Sequence, residues 1–199
     1  IMRVLWLATC ESFYDYVVSN SNFSTDSEGG WYTGLHQAIQ LYDTEHTIEL
    51  GIAFTCNKNI PDKTIINHCT YYPLRPKKES RLQRLIYLWG GYKKNKTPWR
   101  VRITQIIKDF KPDVIHFFGI ESQMAYYLLD LKTPCIINIL GILGPCYNAF
   151  FPINMNNYSV LIHNHSFKEL ILNNQIRFAY KTMGIRTIHE KKLLSHCKN

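Results

Sequence analysis

The sequence predicts an α/β fold: a Rossmann-like parallel sheet with helices on both faces. Three observations lead there. Short apolar runs bounded by polar sequence recur at residues 3–8, 48–54, 114–119 and 135–140, as buried strands do. Segments with helical spacing separate most of these runs. Strands alternating with helices demand crossover connections, and these build parallel sheets covered on both faces.

The elements follow in order. RVLWLA (3–8) is a short apolar run and reads as the first strand. A polar stretch rich in Ser, Asn and Asp follows from Cys10 to Glu28. After Gly30, Leu35, Ala38, Ile39 and Tyr42 step at helical spacing and are expected to face the core. Ile48, Leu50, Ile52 and Phe54 alternate with less apolar positions, which gives a second strand, and Thr64 to Tyr72 reads as a third. Residues 79–110 read as helix interrupted at Gly90-Gly91 and near Pro98. Pro112-Asp113 punctuates its end before the strand VIHFFG. Ser122 to Leu131 reads as a helix, Pro134 opens the strand CIINIL, and Gly141 to Pro145 breaks it. From Ser166 to Cys197 the pattern is mostly helical, with an expected break at Gly184.

The chain has 199 residues, 46 % of them hydrophobic and 19 % charged, enough for one globular domain with a sizeable core. Its first residues show no basic region followed by an apolar one and a cleavage site, so the cytoplasm is the expected compartment. The six cysteines are scattered and form no C-x-x-C pair, as expected of free thiols behaving as small hydrophobes. The net charge of +8 calls for an anionic partner or serves solubility. Basic residues gather from Lys77 to Arg102, a stretch that also holds Trp89, Tyr92 and Trp99. Such a segment suits an anionic membrane surface, a nucleic-acid backbone or simply a solvated helical face.

In a parallel sheet the ligand site lies outside the carboxyl ends of the strands. Here that means the loops after Ala8, Phe118 and Leu140. The first contains Gly29 and Gly30 where a helix begins, and a helix N-terminus offers unpaired N–H groups suited to phosphate. The motif matches neither G-x-G-x-x-G nor a phosphate loop, and a double glycine equally marks a turn. The second loop brings His116, inside an apolar run, and Glu121 just past it; a core role and a binding role are both open to them. The third has Asn138 and Gly141. His163 and His165, in HNH, lack a Cys, Asp or Glu nearby to complete a metal site. No Gly-x-Ser-x-Gly nucleophile turn occurs.

Taken together, MRVLWLA, EGGW, KPDVIHFFGIE and PCIINILGILGP resemble the N-terminal half of a GT-B glycosyltransferase. More narrowly they resemble the retaining family-four group that builds capsular and other surface polysaccharides. The tail from Ser166 resembles that group's helical segment, so the resemblance spans nearly the whole chain. It implies that residues 1–199 are a single Rossmann-like, acceptor-side domain, with the donor-binding domain not included. That second domain carries a pair of glutamates eight positions apart, and this sequence has no such pair. Catalytic residues are therefore assigned to the missing domain.

By position, the resemblance places Gly29 and Gly30 at the donor phosphates and acceptor, and His116, Glu121, Asn138 and Gly141 on the acceptor side of the cleft. Many relatives carry a histidine at the third strand end, and this sequence has none there. The implied reaction transfers a sugar from a nucleotide sugar to a lipid-linked or polysaccharide acceptor with retained configuration. It needs no metal and no cofactor beyond the donor, and no nucleic-acid partner. Lys93, Lys94, Lys96 and Arg100 would then face the anionic inner membrane. The competing expectation is a non-catalytic flavodoxin-like binding or regulatory module.

Overall fold

The computed structural model describes residues 1–8, 30–56, 59–75, 98–120, 123–151, 153–154 and 175–196. They form β1 (Met2–Ala8), α1 (Gly30–Tyr42), β2 (Ile48–Thr55), β3 (Thr64–Ile66), β4 (Cys69–Leu74), α2 (Pro98–Phe110) and β5 (Val114–Phe118). A 3-10 helix (Gln123–Asp130), β6 (Cys135–Asn138), α3 (Leu143–Asn148) and α4 (Gln175–His196) follow. These residues gather into two compact units interleaved along the chain. The first draws on Ile1–Lys77, Lys96–Phe118 and Asp130–Asn138, the second on Gly119–Leu129 and Ile139–Asn199.

The first unit is built on a six-stranded sheet in the order β3-β4-β2-β1-β5-β6. All pairs are parallel except β3 with β4. Counting only the parallel strands, the order is 3-2-1-4-5. That is the Rossmann order, distinct from the 2-1-3-4-5 of flavodoxin-like sheets. The predicted α/β class is therefore what the chain adopts. The central strands are buried along their length, from Val4 to Ala8 in β1 and from Leu50 to Phe54 in β2, as strands covered on both faces must be.

Alternation along the strands sorts two cores. Val4, Trp6, Leu50, Ile52, Phe54, Tyr71 and Phe118 pack with Tyr32 of α1 on one face. On the opposite face Phe110 of α2 lies against Gly51; a Cβ there would sit 2.8 Å from the ring. The Arg3 guanidinium stacks over the same ring at 4.9 Å. Arg3 also fixes the start of the β1–β5 pairing. Its N–H donates to the Asp113 carboxylate at 2.7 Å, and the Asp113 N–H donates back to the Arg3 carbonyl at 2.8 Å.

Several local expectations are corrected. The expected single strand Thr64–Tyr72 is a hairpin of β3 and β4, turning at Asn67 and His68 with φ of 48° and 62°. Two successive left-handed residues make the tight turn that reverses a strand. The inward face of α1 is set by Tyr32 and His36 with Ile39 beside them, whereas Leu35 is 37 % and Tyr42 84 % exposed. The spacing is helical, but two of its anchors are residues with polar tips. The strand after Pro134 ends at Asn138, not Leu140, and the segment Gln123–Asp130 coils as a 3-10 helix. Helix α4 runs through Gly184 without a break. There the Tyr147 ring covers the helix, and a Cβ would meet it at 3.0 Å. The glycine makes room for an aromatic ring instead of ending a helix.

Candidate functional site

Strand β1 is where the order of the sheet reverses: β2 and β4 build out to one side, β5 and β6 to the other. In such sheets the crevice between the diverging connections is the place for a ligand. The register lines up the carboxyl ends. Leu7 pairs with Phe117, Ala8 with Phe54, and Phe118 with Asn138.

Helix α1 begins at Gly30, and its first turn holds no acidic residue. Tyr32, two residues on, packs edge-on against Phe118 at 4.8 Å between ring centres. That contact fixes the start of α1 beside the carboxyl end of β5. The N–H groups of an α-helix's first turn lack intrahelical acceptors and carry partial positive charge. A thirteen-residue helix with no acid there can receive an anion.

His116 lies inside β5, two residues before its end. Its ring rests 4.0 Å from the Phe118 ring and 6.3 Å from Trp6. It is half-buried, and desolvation lowers its pKa from the usual histidine value. A neutral imidazole in an aromatic row can donate or accept one hydrogen bond without carrying charge. Asn138 is half-buried as the last residue of β6. The first unit therefore holds Gly30, His116 and Asn138 on or near one edge of one sheet.

Gly141 belongs to the second unit, half-buried just ahead of α3. Arg100 is exposed on α2, and its guanidinium pairs with Asp130 at 3.2 Å. Gly29, Glu121, Lys93, Lys94 and Lys96 lie outside the described residues, as do His163 and His165.

The second unit has a cleft of about 720 Å³ between α3 and α4. At its base Glu190, only 3 % exposed, accepts the N–H groups of Leu143 at 2.7 Å and Gly144 at 3.0 Å. The carboxylate thus satisfies the bare start of α3, a structural task. Tyr147 and Tyr180 stack along the wall, 4.9 Å apart and 18° from parallel. Their hydrogen bond, with burial and mutual charge repulsion, pushes the Tyr147 phenol above its ordinary range. Lys181 is held below the usual lysine value by desolvation and by Arg177. Ile142, Ile185 and Leu194 complete a largely apolar lining.

Two side chains with shifted chemistry escaped the sequence reading. His36 is 2 % exposed, and burial lowers its pKa to about 4. Its Nε2 lies 3.2 Å from the Tyr71 hydroxyl and 3.4 Å from the Gln40 amide nitrogen. A histidine spaced four from Tyr32 and three from Ile39 was the available signal. Glu190 had none, since its partners lie 46 and 47 residues away in sequence.

Among the described residues Cys56, Cys69, Cys135 and Cys146 form no disulfide, and burial pushes Cys69 up to about 12. No described helix is long and apolar enough to cross a membrane. No family model matches the chain, and no curated protein or solved structure matches it significantly.

Proposed function

We propose that this chain is the acceptor-side domain of a glycosyltransferase. The full enzyme would transfer a sugar from a nucleotide sugar to a lipid-linked or polysaccharide acceptor. The observation that supports this reading most is the start of α1. Gly30 opens a helix with no acid in its first turn, beside the carboxyl end of β5 at the sheet's reversal point. Such an arrangement suits a diphosphate, whose negative charge grows as it leaves the sugar carbon. Preorganised N–H groups stabilise developing charge without reorganising at the moment of reaction.

In this reading Gly30 meets the phosphates, and His116 and Asn138 belong to the acceptor side. The half-buried, neutral His116 would orient a sugar hydroxyl. No side chain of this chain is assigned to bond breaking, and no metal or further cofactor is invoked. A separate donor-side domain would supply the other wall of the cleft and the charged groups that act on the donor. The basic segment with Lys93, Lys94, Lys96 and Arg100 would hold the enzyme at an anionic membrane surface, where a lipid-linked acceptor resides.

The test uses the full-length product of the gene, assayed in membranes with a panel of nucleotide sugars labelled in the sugar. Label is expected in lipid-extractable or polymeric product, and Gly30→Val should reduce transfer at least tenfold while leaving the fold intact by circular dichroism. If the protein binds nucleotides yet transfers no sugar from any donor, the glycosyltransferase reading is overturned in favour of a non-catalytic binding module.

A further inference from the structure

At the amino-terminal ends of β2 and β4, on the edge opposite to the candidate site, lies a cleft of about 240 Å³. His36, Gln40, Asp43, His46, His68 and Cys69 contribute to its lining. Two of these, His46 and His68, are exposed and hold their rings 5.0 Å apart and tilted by 36°. They come from separate connections: His46 from the one between α1 and β2, His68 from the β3–β4 turn.

Both positions are costly ones for histidine. His46 has φ 50° and His68 φ 62°, with Asn67 at 48° between β3 and β4. Asparagine suits the first left-handed position of a two-residue hairpin turn, but the second strongly favours glycine. A histidine at position 68 therefore sits where a glycine would serve the hairpin better. Backbone strain of this kind concentrates where side chains have a task.

The loop bearing His46 is also held firmly. Asp43 accepts the Thr47 N–H at 2.8 Å and the Thr47 hydroxyl at 2.6 Å on one oxygen, and the Ile48 N–H at 2.9 Å on the other. The His46 N–H donates to the Asp43 carbonyl at 3.1 Å. Both imidazoles are thus presented by short, pinned turns.

Two imidazole nitrogens bound to one tetrahedral ion at about 2.0–2.1 Å place their ring centres roughly 5 Å apart. The observed spacing matches. We propose that His46 and His68 together chelate a divalent transition-metal ion, clipping the α1–β2 connection to the β3–β4 turn. No group of three or more His, Cys, Asp or Glu side chains among the described residues is arranged to hold a metal, so the remaining coordination positions fall to water. Imidazole donors suit Zn²⁺, Cu²⁺ and Ni²⁺ over the hard cations Mg²⁺ and Ca²⁺. Cys69 is buried, only 3 % exposed, and stays outside the ligand set. His36 is engaged with Tyr71 and Gln40 and is also outside it.

The experiment titrates the untagged 199-residue chain with Zn²⁺, by calorimetry and by competition with a chromophoric chelator at pH 7.5. The wild type should bind one Zn²⁺ through this pair, and its thermal midpoint should rise with Zn²⁺ because the ion binds the folded state. His46→Asn and His68→Gly should each weaken that binding at least tenfold and abolish the midpoint rise. Asparagine tolerates the left-handed backbone, and glycine prefers it, so both variants keep the fold; His68→Gly should equal or exceed the wild type in metal-free stability. A His163→Asn/His165→Asn variant should retain the affinity. Absence of Zn²⁺ binding in the wild type, or affinity unchanged in both His46→Asn and His68→Gly, overturns the proposal. Neither outcome bears on sugar transfer, which is assayed separately.

Discussion

Acidification should weaken this protein through His36, and the size of the effect follows from its surroundings. The ring is 2 % exposed and burial lowers its pKa from 6.5 to about 4. The unfolded chain takes up a proton on this side chain as pH falls through 6.5. The folded protein does so only near pH 4. Between those values the unfolded state binds more protons, so stability is complete above 6.5 and is lost as pH falls towards 4. Integrating the two titrations gives a loss of about 2 kcal/mol by pH 5 and roughly 3 kcal/mol by pH 4.

Other groups act in the same direction over different ranges. Asp43, Asp62 and Asp109 have lowered carboxyl values through their hydrogen bonds, so their contributions vanish only below the ordinary carboxylate range. His116 contributes within the histidine window, because its value is also lowered by burial. A variant separates the two histidines. Urea unfolding of the wild type and of His36→Gln, at pH 7.5 and pH 5.0, gives four stabilities by linear extrapolation. The variant should be weaker at pH 7.5 because the Tyr71 contact is disturbed. Its loss on acidification should nevertheless be about 2 kcal/mol smaller than that of the wild type. Equal losses in both proteins would refute the assignment.

Two further outcomes test the packing. Gly51→Ala places a methyl carbon 2.8 Å from the buried Phe110 ring, and overpacking of this kind should cost about 1–3 kcal/mol; adding Phe110→Leu should recover part of the loss, as read by urea midpoints. Glu190→Ala removes the acceptor of two N–H groups at the start of α3. Hydrogen bonds to a charged group contribute about 1.5–3 kcal/mol, and amide exchange at Leu143 and Gly144 should accelerate. Protection unchanged at both amides would mean that Glu190 does not cap α3.

The strands of the sheet were legible because burial on both faces writes itself as continuous apolar runs. RVLWLA and VIHFF could be placed from sequence for this reason. The β3–β4 hairpin was hidden because its turn residues, Asn67 and His68, include no glycine. Gly184 misled for the opposite reason: a glycine within a helix reads as a stop, and only the Tyr147 ring lying over it reveals a packing role. The same limit applies to the candidate site. Gly30, His116 and Asn138 could be assigned to strand ends and a helix start, because those places follow from the alternation of elements. What could not be read was the aromatic row around His116, since Trp6, Tyr32 and Phe118 meet it or one another only through the register. The inward turn of His36 was hidden as well. Hydropathy assigns the inner face of a helix to Leu and Ile, whereas α1 buries a tyrosine and a histidine whose polar ends find partners.

The central position of β1 also governs the order in which the molecule can assemble. Arg3 pairs with Glu49, 46 residues on, and with Asp113, 110 residues on. As the chain emerges during synthesis, β1 can find β2 early, and β4 completes a three-stranded half soon afterwards. The other flank of β1 must wait for more than a hundred residues before β5 arrives to cover it. Pairings of such long sequence separation are slow to form and leave an apolar strand flank exposed meanwhile. Arg3 and Asp113 then act as a latch: two hydrogen bonds that set the alignment of β5 on β1 when the late strand docks. Weakening that latch should show itself more in the yield of folded chain than in the stability of the chain once folded.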